Sequence, residues 1–183
     1  MIVGKNLRLR ALEKEDLPKF VEWLNDSEVT ENLLLNHPFS LDSEEQWYEG
    51  VLKSPIYERP LCIEVRDGEG WKMIGNISAM DINWQYRNAE MGIVIGDKTE
   101  WGKGYGTQAM RLYIDHLFNQ LNLHRVSLLV YETNPAGIRC YEKVGFKHEG
   151  TLREAIFKHG HYINVHMMSI LSTEWKNNKG ETE

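Results

Sequence analysis

The segment "RNAEMGIVIG" at 87–96 alternates as a strand, and "TEWGKGYGTQAM" at 99–110 follows it with Gly102, Gly104 and Gly106 at every second position. Behind them "GTQAMRLYIDHLFNQLN" carries Met110, Tyr113, Ile114, Leu117 and Leu121 at three-to-four spacing, the pattern of an amphipathic helix. A strand, a glycine-rich turn and a helix in that order constrain the fold more than any other part of the chain. The unpaired N–H groups of the first helical turn and the helix dipole both favour an anion there, and glycine lets a ligand reach the main chain. A tight turn needing positive φ accounts for one glycine, whereas three alternating with Lys103 and Tyr105 read better as a phosphate cradle.

The rest of the chain sets the class. The 183 residues carry 42% apolar and 26% charged side chains, an ordinary globular balance with enough chain to bury a core. The formal charge of −6 argues against nucleic acid as a general partner and mildly favours a neutral or cationic substrate. Cys62 and Cys140 are too few for a disulfide framework or a thiolate metal site. "KHGHY" sets His159 and His161 around a glycine, but a hairpin turn explains it and no third ligand has recognisable spacing, so no metal is expected. The opening "MIVGKNLRLRALEKEDL" lacks a signal-peptide core, and no apolar run reaches the ~18 residues of a membrane span, so a cytoplasmic chain without a membrane partner is expected.

Periodicity predicts the element order. "NLRLRALE" reads as a strand, and "EKEDLPKFVEWLND" as a helix with Leu17, Phe20, Val21 and Leu24 on one stripe. "LDSEEQWYEGVLKS" reads as a second helix, with Leu41 preceding a cap at Asp42 or Ser43. "PLCIEVRD", "WKMIGNISAMDIN" and "RNAEMGIVIG" form a meander, "RVSLLVY" a buried strand, and "NPAGIRCYEKVG" a short helix with Pro135 at its first position. "FKHEGTLREAIFKHGHYINVHMMSIL" closes the chain as a hairpin. The expectation is one α+β domain over 1–175, a mixed and mostly antiparallel sheet flanked by helices, followed by a polar tail at 176–183.

The phosphate's identity needs more than the glycines. The P-loop pattern is absent, and Gly104-x-Gly106-x-x-Ala109 formally satisfies the dinucleotide fingerprint, leaving an NAD(P)-dependent oxidoreductase as an alternative. That motif ordinarily opens an early βαβ unit, while here helices and a meander precede it. "WGKGYGT", followed about thirty residues on by "NPAGIRCYEKVGF", resembles the two signature motifs of the GNAT N-acetyltransferase superfamily. The order of elements resembles the family across nearly the whole chain, with details closest to its RimJ/RimL and polyamine (spermidine) branch.

The resemblance implies acetyl-CoA as cosubstrate, an amine acceptor and, as the family allows, a homodimer. It implies that the backbone of Gly102, Lys103, Gly104, Tyr105, Gly106 and Thr107 holds the pyrophosphate. Ile93, Val94 and Ile95 match the strand that pairs with the pantetheine arm, and Asn134 and Ala136 the cofactor-side start of the next helix. Tyr141 matches the general acid that protonates the leaving thiolate. Trp101 stands where the family often has Gln or Arg, and Gly137 where it usually has Ala. Amine acetylation also needs a group to take a proton, since a primary amine is mostly protonated at neutral pH. Glu90, pointing away from the Met91 face, is the candidate base, the alternative being a strand-end acid paired with Arg87. Polyamine acetyltransferases of this branch usually carry an acidic cluster where "LLLNHPFS" places Asn36 and His37, which argues against a polyamine effector and, less strongly, a polyamine acceptor. A CoA-binding regulatory module without catalysis is the remaining alternative.

Overall fold

The computed structural model describes residues 1–35 and 37–179, the last four as backbone only. In chain order it contains β1 (Ile2–Val3), β2 (Leu7–Ala11), α1 (Leu17–Leu24), α2 (Ser27–Thr30), α3 (Leu41–Lys53), β3 (Leu61–Asp67), β4 (Gly70–Asn83), β5 (Asn88–Ile95), α4 (Tyr105–Asn119), β6 (Arg125–Tyr131), α5 (Pro135–Val144), β7 (Lys147–Lys158), β8 (His161–Leu171) and α6 (Ser172–Lys179). Among the described residues the strands form one eight-stranded sheet in the order β1-β2-β3-β4-β5-β6-β8-β7. The mixed, mostly antiparallel sheet with helices expected from the sequence is therefore present. Two compact units share the chain, Met1–Ala79 with Gly92–Tyr113, and Met80–Met91 with the chain from Ile114 onward.

In the first unit β2 runs antiparallel to β1 and β3, and β3 to β4, so that Leu7, Leu9, Ile63, Val65, Ile74 and Ile77 are buried. The helix α1 buries Leu17, Phe20 and Trp23, so the apolar stripe passes through Trp23 while Val21 and Leu24 sit at its margins. Pro18 in the first turn costs this helix nothing, since its missing N–H would have no intrahelical partner. The cap of α3 is Ser40, ahead of Asp42 and Ser43: Ser40 and Ser43 form a reciprocal capping box and Leu41 is already helical. Glu64, only 6% exposed, takes Arg8 Nε and Arg10 Nε, and Arg10 also forks onto Asp16 at 2.6 and 2.7 Å. A buried carboxylate is tolerated here because both its oxygens are paired.

In the second unit β6 runs antiparallel to β8 from Arg125↔Leu171 to Tyr131↔Val165, and β7 pairs with the outer side of β8. The hairpin turn His159–Gly160 has positive φ at both residues, 50° and 83°, the two-residue geometry that matches strand twist. His159 thus lies in the turn, as expected, and His161 opens β8. Arg125 forks onto Glu149 and donates to Ser169, tying β6 to β7 and β8. Val126, Leu128, Val130 and Tyr131 are buried, as expected of this strand, while Leu129 is 48% exposed. The helix α4 ends at Asn119, which leaves Leu121 in the following loop, and Leu123 takes the buried position instead. Backbone helix reaches Lys179, so the polar tail begins as helix; residues 180–183 lie outside the described residues.

Gly96, at the end of β5, is pressed against the Trp23 ring: a Cβ there would meet Trp23 Cδ2 at 2.1 Å. Overpacking of this kind typically costs about 1–3 kcal/mol. Gly96→Ala is expected to lower the urea unfolding free energy by about that amount. An unchanged midpoint would show that Trp23 moves aside freely.

Candidate active site

The glycine segment is a short loop opening a helix. Gly102 and Gly104 have φ of 74° and 81°, while Gly106 lies in the first turn of α4 with Tyr105 and Thr107. A turn requiring positive φ therefore explains two of the three glycines rather than one. A Cβ on either Gly102 or Gly104 would meet no protein atom within 4 Å, so that side of the loop is open. Gln108 N–H closes a bond onto Gly104 O at 3.1 Å, and the N–H groups of a helix's first turn point out of its start.

Charged side chains hold the loop from behind. Asp97 Oδ1 accepts from Thr99 N and Oγ1 at 3.0 and 2.6 Å, and Lys72 Nζ bridges Asp97 at 2.8 Å and Glu100 at 2.9 Å. The side chain of Lys103, whose backbone is expected at the pyrophosphate, donates to Glu100 at 2.9 Å. Hydrogen bonds from Lys103 and Lys72 hold the Glu100 carboxyl below the usual range. For Asp97, burial pushes upward but bonds from Lys72 and Thr99 outweigh it, so this carboxyl also sits low. None of Lys72, Asp97 or Glu100 carried a sequence signal, because their meeting depends on β4 lying beside the loop.

The strand leading into the loop has one committed and one uncommitted side. Gly96 N–H donates to Ile74 O at 2.8 Å, and a Cβ on Gly75 would lie 2.0 Å from Val94 O, so Val94 and Gly96 turn their polar groups toward β4. Strand alternation then directs those of Ile93 and Ile95 the other way. Ile95 O accepts from the indole Nε1 of Trp101 at 2.7 Å. The N–H and C=O of Ile93 and the N–H of Ile95 face that other side, while Val94, expected with them among the backbone contacts, faces β4. The parallel ladder of β5 with β6 covers Asn88↔Arg125 to Glu90↔Ser127, and among the described residues it goes no further. Ile93, Val94 and Ile95 are only half-buried, which distinguishes them from core residues such as Met91.

In the second unit Glu90 is half-buried between buried Ala89 and Met91, on the opposite strand face. Arg87, the alternative partner for Glu90, donates instead to Asn122 O and Oδ1, both at 2.7 Å. Asn134 caps α5, its Oδ1 accepting from Gly137 N at 2.9 Å, and exposed Ala136 lies in the first turn. Gly137 has a physical reason: a Cβ there would lie 2.6 Å from Asn134 Nδ2. Tyr141 is partly buried on α5, 6.2 Å from the ring of Phe146, and Gly145 closes the helix with φ of 115°. Burial, reinforced by Cys140, pushes its phenol up to about 12. At neutral pH Tyr141 is therefore protonated and carries a hydrogen that it can donate.

Residues 6–147 match the family model described as an acetyltransferase (GNAT) domain. The chain belongs to the GNAT acetyltransferase family. A spermidine N(1)-acetyltransferase of Vibrio cholerae is 33% identical over 176 residues, covering 96% of this chain and 98% of that one. Its Escherichia coli K12 counterpart by name is 32% identical, covering 93% and 88%. A solved structure of the Vibrio cholerae enzyme in complex with CoA and spermine superposes with a TM-score of 0.85 at 31% identity, over 95% of this chain and all of that one. This GNAT protein is accordingly an acetyl-CoA-dependent N-acetyltransferase, and the oxidoreductase and non-catalytic readings fall.

The raised Tyr141 phenol is directly measurable. The difference in tyrosinate absorbance between the parent chain and Tyr141→Phe should titrate near pH 12. A difference titration centred near 10, the value of a free phenol, would contradict burial of this group.

Proposed function

We propose that this GNAT enzyme acetylates a primary amine of a polyamine such as spermidine. The likeness to the Vibrio cholerae enzyme that binds CoA and spermine, sustained over nearly both full lengths, carries this reading. The absence of acids at Asn36 and His37 bears on an effector site more than on the acceptor; His37 is exposed, and Asn36 lies outside the described residues. No polyamine effector is proposed, and the RimJ/RimL likeness is kept for the motifs alone.

In this reading the first unit binds the cosubstrate. The open-sided loop Gly102–Gly104 and the first-turn N–H groups of Tyr105, Gly106 and Thr107 receive the pyrophosphate through backbone, with Trp101 holding the loop to Ile95 and Lys103 holding it to Glu100. Ile93 and Ile95 offer main-chain partners to the pantetheine amides. Asn134 and Ala136 present the start of α5 to the cofactor. Glu90, directly or through water, takes the proton of the attacking ammonium. The amine nitrogen forms the new C–N bond as the C–S bond breaks, and the electron pair leaves on sulfur. Tyr141 donates to that sulfur, and the second proton, shed by the nitrogen as the amide forms, restores the phenol through water.

The high Tyr141 pKa shapes this last step. A phenol near 12 is a weaker acid than a free thiol of about 8.5, so full transfer early in the reaction is uphill. Donation becomes favourable as charge builds on sulfur in the same poorly solvated surroundings, which disfavour a thiolate too. Tyr141 thus stabilises developing charge first and delivers its proton late.

The test is an amine panel followed by release of the CoA thiol: spermidine, spermine, a peptide N-terminus and an amino sugar. Spermidine or spermine should exceed the others in kcat/KM by about a hundredfold, a difference near 2.7 kcal/mol. Faster turnover of the peptide or amino sugar would overturn the acceptor assignment. Tyr141→Phe should lower kcat by about 10²-fold or more while leaving acetyl-CoA affinity near its parent value. Equal kcat would remove Tyr141 from the chemistry.

A further inference from the structure

The β7–β8 hairpin carries a triangle of donor atoms that acetyl transfer does not use. His148 Nε2 lies 3.2 Å from His166 Nδ1. Thr151 Oγ1 lies 3.0 Å from His166 Nδ1 and 3.3 Å from His148 Nε2. All three residues lie in the second unit, held by the cross-strand pairs His148↔Met168 and Thr151↔His166 on either side of a bulge. That bulge inserts a residue between His148 and Gly150, which brings His148 round beside His166.

These edges match one face of a metal coordination polyhedron. With metal–nitrogen bonds of about 2.1 Å, a 3.2 Å separation of two nitrogens subtends about 100° at the ion, between the octahedral and tetrahedral angles. Rings whose lone pairs both converge on such an ion have centroids about 5 Å apart, whereas rings joined by a straight N–H···N bond stand about 5.5 Å apart. The observed separation is 4.9 Å with an interplanar angle of 67°. Glu132, whose carboxylate accepts from Asn164 N and Nδ2, adds a negative charge that interacts with His166.

The geometry points to a solvent-open site for one divalent transition ion of the zinc or copper class, bound by His148 Nε2 and His166 Nδ1 with Thr151 Oγ1 as a third, weaker donor. Water completes the shell, since among the described residues no group of three or more His, Cys, Asp or Glu side chains forms a metal-binding cluster. An imidazole nitrogen binds a metal only through its lone pair, so each ring ligates with its hydrogen on the other nitrogen. Imidazole favours these borderline metals over calcium or magnesium, and copper binds more tightly than zinc. The ion would pin β7 to β8 and stabilise the hairpin by binding only the folded state.

Calorimetric titration of the full chain with zinc chloride in a non-coordinating buffer tests this. One equivalent should bind, His148→Gln and His166→Gln should each weaken it by about tenfold or more, and Thr151→Val should weaken it less. His159→Gln, in the hairpin turn, should leave it unchanged. Circular dichroism confirms that each variant is folded, and the copper-loaded parent should show two imidazole nitrogens in its electron paramagnetic resonance spectrum. Absence of binding at millimolar zinc, full affinity in His166→Gln, or loss in His159→Gln would overturn the site.

Discussion

A half-buried strand cannot leave its main-chain polar groups unpaired without cost. In β5 the groups of Val94 and Gly96 are directed at β4, and Trp101 occupies Ile95 O. Among the described residues the β5–β6 ladder ends at Glu90↔Ser127, so the main-chain groups of Ile93 and the amide of Ile95 lie beyond it. A ligand that is itself a chain of amides answers those groups in hydrogen bonding. The neighbouring loop poses the same problem at the other end of such a ligand, with the donors of a helix N-terminus and open space where a Cβ on Gly102 or Gly104 would stand.

Much of this was legible in the sequence, because periodicity and turn chemistry act locally. The strand from Leu7 to Ala11, the start of α5 at Asn134 and Pro135, and the His159–Gly160 turn follow from rules that need only neighbours in the chain. Misplaced details have two causes. Ser40 rather than Asp42 caps α3 through its local capping box with Ser43, a signal present in the sequence. Trp23 rather than Leu24 carries the α1 stripe into the core, which depends on what the helix packs against. The network of Lys72, Asp97, Glu100 and Lys103 was invisible for the same reason, since it joins β4 to a loop more than twenty residues on.

The candidate chemistry was legible as residue types and less so as energetics. Tyr141 could be named from its spacing to Asn134 and Gly145, but the upward push on its phenol needs the packed helix around it. Glu90 could be paired on paper with Arg87, yet the structure gives Arg87 to Asn122. Gly137, which looks like a defect in a helix, makes room for the Asn134 side chain that caps the same helix.

The account stands or falls on whether the free edge of β5 and the start of α4 receive the cosubstrate. Amide hydrogen exchange with and without CoA measures this residue by residue. Slowed exchange at the amides of Ile93 and Ile95 and at Gly104–Thr107, with Val94 unaffected, is the predicted result. Protection elsewhere, or unaltered exchange at Ile93, Ile95 and the loop under saturating CoA, would contradict it.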